Sequence, residues 1–241
     1  MDRGNLVEIK KGQEGTGILT EHDGFISPEI GENRALFESY KRMNESTEGG
    51  EFHCPYPFVV DAVFQKFGIE NANGRIYPES VLKREVENYM TKIREKRAIG
   101  ECNHPAESVI DLSRVAINII ELHWEGHTLV GKLEVITSPG FRKHGIISCQ
   151  GDQIANLILQ GIKIGVSSRG LGTVTNKMGV LYVADDYEIV CWDVVSDPST
   201  PNAWISDSYE KLQPFIESTA KDPQKDKLLE KLETFNDWLN E

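Results

Sequence analysis

The chain has 241 residues, 39% hydrophobic and 27% charged, the make-up of a globular protein with one sizeable domain or two small ones. Its 26 basic and 38 acidic residues leave a formal charge of −12, which argues against a dedicated nucleic-acid binder, whose surface must be basic to displace counterions. No run approaches the ~20 apolar residues of a membrane span. The polar start Met1-Asp2-Arg3-Gly4-Asn5 does not read as a signal peptide. Cys54, Cys102, Cys149 and Cys191 form no C-x-x-C pair, so free thiols are expected rather than a disulfide frame or a zinc site.

Residues 1–56 are rich in Gly, Glu and Asn with little periodicity and read as a loosely ordered arm. The folded part starts near Pro57, with a β-rich apolar strand over 58–67 and a turn at Asn71-Ala72-Asn73-Gly74. Pro78 opens a helix whose Leu82, Val86, Tyr89 and Ile93 share a core-facing stripe. Residues 99–102 are extended and lead to His104, which Pro105 keeps away from helical angles. A hairpin over 115–122 and 128–136 turns at Glu125-Gly126. Asp152 caps a helix running to Gln160, with Gly161 as its stop. A strand follows over 162–169. Ile162, Ile164, Val166 and Ser168 lie on one face, and Lys163, Gly165, Ser167 and Arg169 on the other. The apolar set faces the core, which turns Ser167 toward the open side beside Arg169. Gly179 marks a turn, and residues 186–195 form a strand apolar on both faces and therefore buried. Past Pro198-Ser199-Thr200-Pro201 the character changes to a polar linker and an amphipathic helix carrying Leu228, Leu232, Phe235 and Leu239.

Serine, histidine and aspartate are the side chains a serine hydrolase uses, because a hydroxyl is a poor nucleophile until an oriented base takes its proton. Ser167 stands beside Gly165 and Gly170, which permit close approach of a backbone, and beside Arg169, whose N–H and charge suit a developing oxyanion. It is not in a G-x-S-x-G elbow, and the order His, Ser, Asp matches none of the familiar triads. Among six histidines, His104 is the one enclosed by small, turn-forming neighbours and a proline. His123 and His127 have metal-pair spacing, but Glu125-Gly126 between them breaks a helix. Asp193 sits in the apolar strand and needs a partner, either a histidine N–H or a structural bond to backbone or arginine. Glu101 competes for the orienting role, although adjacency along an extended chain does not point side chains together. Cys102 and Cys191 lie in apolar contexts where a thiol stays protonated.

Over residues 57–205 a set of runs resembles, in consistent order, the prohead core proteases of T-even-like tailed phages. The runs are Asn73-Gly74-Arg75-Ile76-Tyr77-Pro78, Gly100-Glu101-Cys102-Asn103-His104-Pro105, Gly165-Val166-Ser167-Ser168-Arg169-Gly170, Asp193-Val194-Val195, Pro198-Ser199 and Ala203-Trp204. The resemblance implies His104 and Ser167 as the catalytic pair. That family is similar in fold to herpesvirus assemblins, whose third residue is a second histidine on a later strand; the counterpart here is Asp193. The fold expected is α+β, an assemblin-like, β-barrel-like core of mostly antiparallel strands with flanking helices. The domain division is an arm over 1–56, a protease domain over 57–205, and a linker with a C-terminal helix over 206–241. Backbone N–H groups at Ser168 and Arg169 are the oxyanion-hole candidates.

The activity implied is that of a serine endopeptidase needing no cofactor or metal. It would work inside the assembling prohead in the host cytoplasm on scaffold or core proteins, the major capsid protein and itself. Neither nucleic acid nor membrane is an expected partner, and a homo-oligomer is left open. T-even-like enzymes cut after glutamate in Leu/Ile-x-Glu contexts, and the arm holds Leu6-Val7-Glu8, Leu19-Thr20-Glu21, Ile30-Gly31-Glu32 and Leu36-Phe37-Glu38. The rival reading is a non-catalytic capsid-assembly scaffold protein on the same fold. A metal hydrolase using His104 and Asp193 ranks lower.

Overall fold

The computed structural model describes residues 7–20, 52 and 54–206. Ten strands build two five-stranded sheets. The first runs β1 (Gly15–Thr20), β7 (Gly165–Lys177), β8 (Val180–Val183) and β3 (Arg75–Ile76), with β9 (Glu188–Val195) also paired to β7. The second runs β10 (Ile205–Ser206), β2 (Phe58–Lys66), β6 (Thr128–Val135), β5 (Val115–Glu125) and β4 (Ile99–Glu101). Every pairing is antiparallel except β3 with β8. Three α-helices, α1 (Glu79–Arg94), α2 (Pro139–His144) and α3 (Gln150–Leu159), and a 3-10 turn at Leu112–Arg114 complete the described fold.

The class is thus the expected mixed α+β, strand-rich and mostly antiparallel. Among the described residues neither sheet closes into a barrel. No continuous ladder joins the two described sheets, only the isolated bridges of Cys102 with Val194 and Gly165 with Trp204. The ladder from β4 cannot continue along β9, because Asn103 turns into the left-handed region at φ 67° immediately after the Cys102 bridge.

Both sheets and α1 feed one core. Trp192 of β9 is fully buried with Phe64 of β2 and Tyr89 of α1 packed edge-on, at ring-centroid distances of 5.7 and 4.8 Å. Leu82 and Val86 join them, as the helical stripe predicts, while Ile93 is only partly buried. Lys92 at the end of α1 donates to the carbonyls of Val190 and Ile189 at 2.8 and 3.3 Å, fastening the helix to β9.

One local expectation shifts. Asp152 is not the N-cap residue, which is Cys149, but caps from the first turn of α3, accepting from the Cys149 and Ser148 N–H groups at 3.1 and 2.8 Å and from Ser138 N–H at 2.7 Å. His144 ends α2, which Ser138 caps and a left-handed Gly145 stops. The arm also departs from its expected looseness over the described stretch. Gly15–Thr20 pairs along β7, Leu19 is fully buried, and the buried Arg75 guanidinium donates to the carbonyls of Thr20, at 3.3 Å, and Ile9. Residues 21–51 and the tail helix at Leu228, Leu232, Phe235 and Leu239 lie outside the described residues. Among the described residues no helix is long and apolar enough to cross a membrane.

Candidate active site

The register of β7 on β9 sorts the serine pair. Ser167 lies opposite Asp193 and Arg169 opposite Cys191, while Ser168 lies opposite Trp192 and Val166 opposite Val194. Directly opposed residues share a face. Ser167, Arg169, Cys191 and Asp193 therefore line one side, and Ser168 is on the core side with Trp192. The expected split between the serines holds. The expected open side does not: Ser167, Arg169 and Asp193 are each 0% exposed. The polar face is covered by the segment after β4, which the strand pattern of β7 alone cannot reveal.

That segment is steered by local backbone. A Cβ on Gly100 would overlap the Trp192 carbonyl, so glycine lets β4 pass close over β9. A register shift at Gly100/Glu101 re-aims Glu101. Cys102 then bridges Val194, and Asn103 donates its N–H to the Val194 carbonyl at 2.9 Å. Asparagine is among the few non-glycine types that readily adopt the left-handed turn found there. His104 follows, extended ahead of Pro105, and its side chain is fully buried over β9.

His104 Nδ1 lies 2.6 Å from Asp193 Oδ2, and Nε2 lies 3.1 Å from the Ser168 carbonyl, one residue from Ser167. Asp193 Oδ1 accepts the Glu101 N–H at 2.9 Å, the Cys191 thiol at 3.2 Å and Arg169 Nη2 at 3.2 Å. Arg169 Nε is in ionic contact with Oδ2 at 3.0 Å. The guanidinium also donates through Nη2 to Glu101 Oε1 at 2.9 Å and through Nη1 to the Glu107 carbonyl at 2.8 Å. Glu101 in turn accepts the Asp111 N–H at 2.8 Å and faces Arg114 Nε at 3.3 Å.

These contacts set the protonation states. Burial alone would raise the Asp193 carboxyl, but the bond and charge of His104, the Arg169 guanidinium and the Glu101 N–H hold it below its ordinary value. Burial opposes charge on Arg169 as well, yet the thiol and carboxylates around it keep it more firmly protonated than usual. Burial and the Asp193 charge push the Cys191 thiol well up, and burial raises Cys102, so neither supplies a thiolate. His104 and Asp193 are joined to each other and to a guanidinium, which makes a poor cradle for a cation.

The fold thus brings His104 and Asp193 together, with Ser167 in register beside them. Ser168 contributes its carbonyl to this group, while its buried Oγ has no hydrogen-bond partner. The Arg169 side chain is committed to carboxylates rather than to an oxyanion. Ser168 and Arg169 both sit within the β7–β9 ladder, and Arg169 is also opposite Thr20 of β1. Glu101 is the participant that sequence reasoning undervalued. Its signal was the one given to Asp193, a charged residue in a short apolar extended run.

Asp193 on β9, His104 in the segment after β4 and Ser167 on β7 thus lie together on a mixed α+β fold. The chain belongs to the family described as prohead core protein serine protease, whose profile it matches over residues 18–211. It is 33% identical over 167 residues to the prohead core protein protease of Enterobacteria phage T4, covering 68% of this chain and 75% of that protein. It is similar in fold to the bacteriophage T4 capsid assembly protease gp21, with a TM-score of 0.55 at 24% identity, covering 75% of this chain and 98% of that one.

Proposed function

We propose that the chain is a serine endopeptidase of prohead maturation, with Ser167 as nucleophile, His104 as general base and acid, and Asp193 as the orienting group. The observation that carries this reading is the 2.6 Å contact between His104 Nδ1 and Asp193 Oδ2, made from a strand position directly opposite Ser167. A carboxylate at Nδ1 holds that nitrogen protonated and leaves Nε2 to act as the base. The proton leaves Ser167 Oγ for Nε2 as Oγ bonds to the scissile carbonyl carbon. It then passes to the departing amine as the C–N bond breaks, and water releases the acyl group by the same route. The Ser168 and Arg169 N–H groups are the oxyanion donors, reached once substrate opens the ladder at that point.

The substrates are scaffold or core proteins, the major capsid protein and the enzyme's own arm, cut after Glu in Leu/Ile-x-Glu inside the prohead in the host cytoplasm. The non-catalytic scaffold reading has one observation in its favour, the complete burial of Ser167. Hydrolysis of a Leu-x-Glu peptide separates the two. Ser167→Ala should lose at least ~10³-fold in kcat/KM while Ser168→Ala keeps most activity. Equal activity in wild type and Ser167→Ala would sink the mechanism, and inhibition by chelators would revive the metal reading. Intact mass of active protein should show trimming after Glu8, Glu21, Glu32 or Glu38; an untrimmed active chain would remove self-processing.

A further inference from the structure

We propose that Glu101 is a positioning residue for this site: acting through Arg169, it sets how much negative charge Asp193 presents to His104. The inference rests on the Ser167–His104–Asp193 reading above. Arg169 Nη2 reaches Glu101 Oε1 at 2.9 Å and Asp193 Oδ1 at 3.2 Å, Nε is 3.0 Å from Asp193 Oδ2, and all three side chains are 0% exposed. A guanidinium with Asp193 as its sole charged partner would cancel the carboxylate that His104 depends on. Sharing that one positive charge with a second carboxylate leaves Asp193 net negative toward the imidazole. In a dry site such redistribution acts strongly on neighbouring charge.

The other groups around His104 do not replace Glu101. On β9 the Cys191 thiol donates to Asp193 Oδ1 and is held protonated. On α1 the buried Tyr89 is pushed well above its ordinary range and stays neutral. Cys102, between Glu101 and His104, is likewise raised. In the segment after His104, Glu107 offers its carbonyl to Arg169 and Asp111 offers its N–H to Glu101. Arg114 is the charged side chain that contacts Glu101 from the far side. Its Nε lies 3.3 Å from Glu101 Oε2, and its 39%-exposed side chain is partly screened. It draws Glu101 away from Arg169, so it works against the Glu101 effect.

When the Ser167 proton moves to Nε2, the imidazolium is stabilised by whatever charge Asp193 retains. Glu101→Gln keeps the backbone bond from the Glu101 N–H to Asp193 and removes only the charge. The imidazolium formed as the proton moves then loses part of its stabilisation. The acid limb of the kcat/KM profile should move down by about one pH unit and plateau kcat should fall about tenfold, with KM within twofold of wild type. Glu101→Asp should restore the limb most of the way. Arg114→Gln, at a half-exposed position, should move it the opposite way, to higher pH.

The experiment is the pH–rate profile of full-length wild type and these three variants on one Leu-x-Glu peptide. The opposed shifts support the proposal. Loss of activity in Glu101→Gln with the limb unmoved overturns it in favour of a purely structural role. If Glu101→Gln does not fold, an unmoved limb in Arg114→Gln overturns it instead. Ser167→Ala run alongside reports on the underlying mechanism separately, since activity there would remove that mechanism whatever the limbs do.

Discussion

The two faces of the β7–β9 pair begin one residue apart and are equally dry. On one side Ser168, Val166, Trp192 and Val194 meet an aromatic and aliphatic core. On the other, Ser167, Arg169, Cys191 and Asp193 meet His104 and Glu101. Burial therefore does not distinguish the chemical face from the structural one. Partners do: each buried charge is matched by an opposite charge or a donor, whereas the Ser168 hydroxyl faces apolar side chains without a partner. A buried ionic network is weak evidence for stability, because desolvation offsets much of its Coulomb attraction. A core aromatic carries a smaller offset, here the buried Trp192 indole N–H without a partner. One face should thus show its value in rate and the other in folding.

Neighbouring substitutions on β9 sharpen that contrast. Asp193→Asn should cut kcat/KM by about 10⁴-fold with a modest change in melting temperature. Trp192→Ala should cost about 4 kcal/mol in urea unfolding, through the cavity left between Phe64 and Tyr89. If Asp193→Asn unfolds the protein more than Trp192→Ala does, the division of labour is wrong. Gly100→Ala tests the crossing that joins the faces. It should destabilise by about 3 kcal/mol, because the added methyl meets backbone rather than a flexible side chain. The smallest effect lies away from both faces, at Asp152. Burial would raise its carboxyl, but N–H and hydroxyl bonds from Ser138 and Ser148 outweigh this and hold it at about 2. Its folded value is below its unfolded one, so its stabilisation is present above about pH 4 and is lost as pH falls toward 2. Asp152→Asn should cost about 2 kcal/mol at pH 6 and flatten the stability–pH curve across that acid window.

Period-two alternation was enough to put Ser167 and Ser168 on opposite faces, because side-chain direction in a strand is local. The Asn-His-Pro context singled out His104 for a similarly local reason. The closed state of the site was not legible. It depends on residues 101–107 folding over β7, and the Arg169–Glu101 bond spans 68 residues of sequence. β1 escaped notice for the same reason: Gly15 and Gly17 dilute the strand signal of Thr16, Ile18 and Thr20, and the segment gains its stability from pairing with the distant β7. The short α2 is a different case, since its Ser138-Pro139 start and Gly145 stop are local signals.

β1 has a consequence for any processed form of the enzyme. Three of the arm's four Leu/Ile-x-Glu triplets, ending at Glu21, Glu32 and Glu38, fall in sequence after β1 and before β2. A cut at any of them separates the first strand from the rest of the chain without removing it from the sheet. Leu19 and the Arg75 bonds to Thr20 and Ile9 would still retain it. The product would be a two-fragment protein held by complementation, seen as two masses under denaturing conditions and one under native conditions. Its later dissociation would leave an unpaired edge on β7, two residues from Ser167.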